Sequence, residues 1–129
     1  MATARWYLIA SLLIALTFGA TVGALALATR TLPLDLLGGL GLERARLAHG
    51  YAQIFGFATL FVMGVALHVV PRFKGVPLSA AALVLPTFWL QLAGAAACIA
   101  GALTDSALLR VAGAASATAG ACGFGLVVH

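Results

Sequence analysis

Eighteen consecutive residues between His49 and His68, GYAQIFGFATLFVMGVAL, carry no formal charge. An apolar run of that length crosses a bilayer as an α-helix, because only a helix satisfies its own backbone polar groups in lipid. Pro71, Arg72 and Lys74 follow it and mark its expected stop. Nineteen steps of about 1.5 Å place the His49 and His68 imidazoles ~28 Å apart along the axis, close to the thickness of the hydrocarbon core. The two rings of one chain therefore cannot share one iron.

The rest of the chain repeats the pattern. Of 129 residues 64% are hydrophobic and 8% charged, with a mean hydropathy of +1.14. A soluble domain of this size carries roughly a quarter charged residues. The sequence thus predicts an all-α integral membrane protein, a four-helix bundle of up-down topology. It forms one transmembrane domain over 1–129, with spans at about 6–28, 49–70, 78–103 and 107–128. The first run is long enough, and followed by enough others, to be a retained helix rather than a signal peptide. No soluble catalytic module is expected.

Seven Lys/Arg against three Asp/Glu give a net charge of +4. The cations sit in loops between the apolar spans with no clustered stripe, so the excess points to lipid head groups and anionic ligand groups, not to nucleic acid. Arg5, Arg72 and Lys74 on one side face Arg30, Arg44, Arg46 and Arg110 on the other, too even a split to orient the chain. Cys98 and Cys122 lie inside apolar spans and read as packing residues.

Gly19 and Gly23 form a GxxxG-like pair that lets a neighbouring helix approach closely. The loop from Thr29 to Ala48 holds Pro33, Gly38, Gly39 and Gly41. Its leucines Leu32, Leu34, Leu36, Leu37, Leu40 and Leu42 predict a segment lying in the membrane interface. Pro71 is expected to close the second span and Pro86 to kink the third. Asp105 or Ser106 is the expected N-cap of the fourth. Glycines and alanines give that last span a smooth face, suited to another helix or to a flat cofactor.

Ionisable residues inside a span are costly and point to function. Only His49, His68 and His129 qualify. There is no intramembrane carboxylate for a proton relay and no Ser/His/Asp grouping for hydrolysis. Histidine among apolar helices suits b-type haem, which imidazole ligates. One and two turns beyond His49, Gln53 and Gly56 share its face. Gly56 leaves room for a porphyrin, and Gln53 can fix a neighbouring imidazole or reach a propionate. Arg44 and Arg46, just outside the span, are the expected propionate partners. His68 points about 100° away from His49 around the helix and is a candidate for a second haem, or a residue supporting one.

The pattern His49-Gly-Tyr-Ala-Gln53, Phe55-Gly56, then Gly64-Val-Ala-Leu-His68-Val-Val-Pro71-Arg72-Phe-Lys-Gly75 resembles the second helix of haem–copper oxidase subunit I in its cbb3-type and nitric-oxide-reductase branches. It resembles still more closely short subunit-I-like and NnrS-type haem proteins. The resemblance covers about 27 residues. It implies one four-helix arc of the subunit I fold, His49 as a ligand of low-spin haem b near the periplasmic face, and a multi-pass protein of the bacterial inner membrane with a cytoplasmic N-terminus. The histidines for a high-spin haem and copper are missing, so it does not imply oxygen reduction by this chain alone. The helix that supplies the second axial histidine in the longer proteins is missing too. That ligand must come from another chain, as a symmetric His49 pair would provide, while at the opposite end His68 and His129 can approach one haem.

The expected function is thus haem b binding, with one or two haems per protomer or shared between protomers, for electron transfer or for binding a diatomic gas such as NO or O2. The expected partners are the bilayer and a second copy or a larger membrane complex; the redox partner is not specified. An alternative is a cofactor-free structural subunit. A dual-topology transporter is a further reading, although such proteins need a membrane-embedded acid.

Overall fold

In the computed structural model, which describes residues 2–32 and 37–129, four helices are long and apolar enough to cross a membrane. We number them α1 (Thr3–Thr31), α2 (Leu42–Lys74), α3 (Ala81–Leu103) and α4 (Ala107–Val128). No strand occurs among the described residues. Pro33, Leu34 and Leu36 of the expected interfacial loop lie outside them. Large side chains such as Trp6, Leu27, Val62, Trp89 and Leu126 point outward, as a bilayer requires.

The helices differ from the sequence expectation mainly at their ends. α2 begins at Leu42, two turns before His49, so Arg44 and Arg46 are helical residues and not loop residues. At 33 residues it is about 50 Å long. That exceeds the ~30 Å hydrocarbon core, so at least one end of α2 stands in the head-group layer. Pro71 does not close the helix. It lies in the last turns, and the stop is Gly75, which takes a left-handed conformation (φ 67°) and donates its N–H to the Pro71 carbonyl at 3.0 Å. Pro86 likewise sits at an end of its helix and not within it. It falls in the first α-helical turn after a 3₁₀ turn at Ala81–Leu83, where an N–H has no helical partner to lose. Ser106 caps α4, its hydroxyl accepting from the Leu109 N–H at 3.4 Å.

α3 and α4 form the tightest pair. A Cβ on Gly94 would lie 2.5 Å from the Ala117 nitrogen, and one on Gly113 would lie 2.7 Å from the Cys98 nitrogen. A Cβ on Gly120 would lie 2.9 Å from the Gln91 nitrogen. The smooth face of α4 is therefore filled by α3, backbone against backbone. α1 packs antiparallel along α2: Gly23 meets His49, Gly19 meets Gln53, Ile14 meets Gly56, and Tyr7 and Leu8 meet Gly64.

A core of Tyr7, Leu60, Met63, Val84, Phe88, Phe124 and Val127 ties all four helices together at one end. There the buried Tyr7 hydroxyl donates to the Val84 carbonyl at 2.7 Å and lies 2.9 Å from the Thr87 hydroxyl. Ala48, Ala52, Ile99 and Ala102 join α2 to α3 toward the other end, where Asp105 pairs with Arg44 at 3.5 Å and with Arg110 at 3.3 Å.

Candidate functional site

Both α1 and α2 contain a π-helical turn, at Ala15–Thr21 and Ala52–Ala58, and the two turns face one another. Such a turn widens the helix by one residue and loosens its carbonyls from the regular ladder. Each gives one carbonyl to a side chain from another helix. Gly19 O lies 2.8 Å from His49 Nδ1, and Phe55 O accepts from the Gln91 amide at 2.8 Å.

The first of these bonds sets the chemistry of His49. A carbonyl oxygen only accepts, so Nδ1 carries the hydrogen and, in the neutral ring, Nε2 carries the lone pair. That is the tautomer in which an imidazole ligates a metal through Nε2 while a backbone carbonyl holds its other nitrogen. The ring lies against Gly23, whose missing Cβ would stand 2.7 Å from His49 Cε1. His49 remains half-buried and opens on a cleft of about 170 Å³ between α1 and α2.

The cleft sorts the expected site residues. Arg46 lines it, together with Arg30, Leu42, Ala26 and Leu27. Arg46 also reaches Glu43 at 3.4 Å, one helical turn away. Arg44 turns toward Asp105 and is not among the cleft residues. Arg30 takes its place there from the end of α1. The sequence reading used Arg30 only as a loop charge; its position seven residues after Gly23, two turns along one helix face, was the available signal.

Gln53 and Gly56 share the His49 face, as the helical period requires, but α1 covers that face. Gln53 Nε2 would lie 2.6 Å from a Cβ on Gly19, and the space over Gly56 is filled by Ile14, whose Cγ2 would be 2.5 Å from a Cβ there. Both residues hold α1 against α2.

His68 lies near the far end of α2, exposed, with its Nε2 against Nη1 of Arg72 one turn on. A guanidinium only donates, so the Nε2 lone pair of His68 is engaged by its own helix. His129 is exposed, and Lys74 Nζ donates to its backbone carbonyl and to that of Val128. Among the described residues no hydrogen bond joins His68 to His129, and no group of three His, Cys, Asp or Glu that could hold a metal ion occurs.

For haem, the donor set at His49 fits and the enclosure fits only in part. One fixed imidazole and two arginines supply an axial nitrogen and partners for two carboxylates. The ~170 Å³ cleft is smaller than the roughly 300–1,000 Å³ of enclosed cofactor sites. A macrocycle there has to complete its pocket from outside this chain. No protein-family model, no curated protein and no solved structure matches the chain.

Proposed function

We propose that this protein is a b-type haem-binding membrane protein in which His49 Nε2 is an axial ligand, and that it works as a homo-oligomer or as a subunit of a larger membrane complex. The observation that carries the proposal is the His49 Nδ1–Gly19 carbonyl bond at 2.8 Å, which turns the ligating nitrogen away from its own backbone partner. Arg30 and Arg46 flank the same cleft and are the propionate partners. A second protomer or a neighbouring subunit would supply any further iron ligand and the missing wall. In this reading the four spans run up and down as one arc of a subunit-I-like fold, in a bacterial inner membrane with the N-terminus cytoplasmic. Bound haem would supply one-electron exchange when both axial positions are filled, or a diatomic-gas site when one is open. His49 would hold the iron through Nε2, and the Gly19 carbonyl fixes its tautomer.

The test is the optical spectrum of the purified protein after haem loading. A Soret and α-band that vanish in His49→Ala, and persist in His68→Ala, are the expected result. A colourless protein that takes up no haem ends the proposal. That outcome favours the second reading, a cofactor-free structural subunit, which has its own support in the way α1 fills the His49–Gly56 face.

A further inference from the structure

Two clefts meet at His68, at the end of the bundle away from Asp105. One of about 300 Å³ follows the α1–α2 seam past Leu8, Gly64 and Val65 and has Arg5 at its edge. The other, about 200 Å³, brings in Thr3, Pro71 and Arg72. His68 lines both. The described carboxylate side chains, Glu43 and Asp105, are engaged by Arg46, Arg44 and Arg110 at the opposite end of α2. Arg44 and Arg72 are 28 residues apart on that helix, about 42 Å at 1.5 Å per residue. Lys74 is turned to the α4 carbonyls. Arg5 and Arg72 thus have no ion-pair partner among the described residues; Arg5 lines the first cleft, whose wall includes Leu8 and Val65, Arg72 lines the second, and Ala4 and His68 join the two.

We propose that the two clefts joined at His68 together bind one anionic phospholipid, with Arg5 and Arg72 reaching its phosphate from either side and the Leu8–Val65 seam along the first part of an acyl chain. Guanidinium groups match phosphate oxygens in pairs, and a basic pocket between transmembrane helices at the interface is the setting in which anionic head groups are held. His68 is a positioning residue here. Its Nε2 accepts from Arg72 and so holds that guanidinium over the cleft mouth. The site is independent of His49 and stands or falls without haem.

Native mass spectrometry of the full chain released from nanodiscs of mixed phosphatidylglycerol and phosphatidylcholine tests it. One phosphatidylglycerol is expected to stay bound in preference to phosphatidylcholine. Arg5→Gln with Arg72→Gln should weaken that retention at least about tenfold, the loss of charge-assisted contacts. Arg44→Gln with Arg110→Gln removes the same charge at the other end and should leave it unchanged. Val65→Trp fills the first cleft with both arginines intact and should also displace the lipid. Equal retention of the two lipids, equal loss in both double variants, or full protection by inorganic phosphate alone with no effect of Val65→Trp would each overturn the assignment.

Discussion

His49 Nδ1 lies 2.8 Å from the carbonyl oxygen of Gly19, across the seam between α1 and α2 and inside the π-helical turn of α1. The pair explains why two unrelated-looking sequence features occur together. The GxxxG-like step in α1 exists to receive the side chains at His49 and Gln53: Gly23 seats the imidazole and Gly19 seats the amide. A helix of larger residues would hold α1 too far away for the bond to form.

Gly23 therefore controls the imidazole. In Gly23→Ala the new methyl group would stand 2.7 Å from His49 Cε1, so the ring must turn or α1 must shift. Overpacking of this kind costs about 1–3 kcal/mol. The expected outcome is a lower midpoint in detergent-solubilised thermal unfolding, together with a weakened α-band in haem-loaded protein. A matched change at Gly125, which has nothing within 4 Å of its would-be Cβ, should alter neither.

Gln91 makes the same kind of link at the second π-helical turn. It is fully buried, its Nε2 donates to Phe55 O, and its Oε1 has no partner among the described residues. Gln91→Leu keeps the bulk and removes the donor. Side-chain hydrogen bonds between membrane helices average about 0.6 kcal/mol and reach about 1.7 kcal/mol. Loss within that range is expected, because the change also removes an unpaired buried oxygen. Denaturant titration in mixed micelles reads it directly, and a loss well above ~2 kcal/mol would show that Gln91 carries more than this bond.

The spans were legible in the sequence because length and the absence of charge dictate them. The stripe of His49, Gln53 and Gly56 was legible because the helical period puts those residues on one face. What lies over that face was not, because an apolar notch fits Ile14 or a porphyrin edge equally well, and pattern alone does not choose. Helix ends were misjudged for a related reason. Glu43, Arg44 and Arg46 resemble a loop when charge is read as water, yet α2 runs far enough to carry its charges past the hydrocarbon layer. Pro71 was read as a stop and Pro86 as a kink, although each falls in an end turn of its helix. Arg30 was missed because it was read as part of the loop, whereas α1 runs on to Thr31 and carries it to the cleft beside Gly23 and Leu27.

Tyr7 anchors the opposite end. Its hydroxyl reaches both Val84 O and the Thr87 hydroxyl, and its ring meets Phe88 edge-on at 4.9 Å. Tyr7→Phe removes the hydroxyl contacts and leaves the ring packing, so a loss of about 1 kcal/mol is expected. Tyr7→Ala also empties the core and should cost about 3–5 kcal/mol, as truncation of a buried aromatic does. A spectroscopic unfolding series of the two variants separates the contributions, and equal losses would assign the whole effect to the hydroxyl.

Asp105 joins Arg44 of α2 to Arg110 of α4 from a backbone position at φ 56°, which disfavours most side chains. Its carboxylate is 61% exposed, so each ion pair contributes no more than about 1 kcal/mol. The conformation matters as much as the charge. Asp105→Asn keeps a residue that tolerates the left-handed region and should lose only the ion pairs, well under ~2 kcal/mol and less as salt is raised. Asp105→Val loses the pairs and also forces a β-branched residue into that region, so it should fall further by roughly 1–2 kcal/mol, with no salt dependence in the added part. Asp105→Gly removes the pairs and relieves the backbone. Thermal melts of the three variants at low and high salt would rank them Asn or Gly above Val. If Val matched Asn, the turn would not hold its left-handed geometry in the membrane.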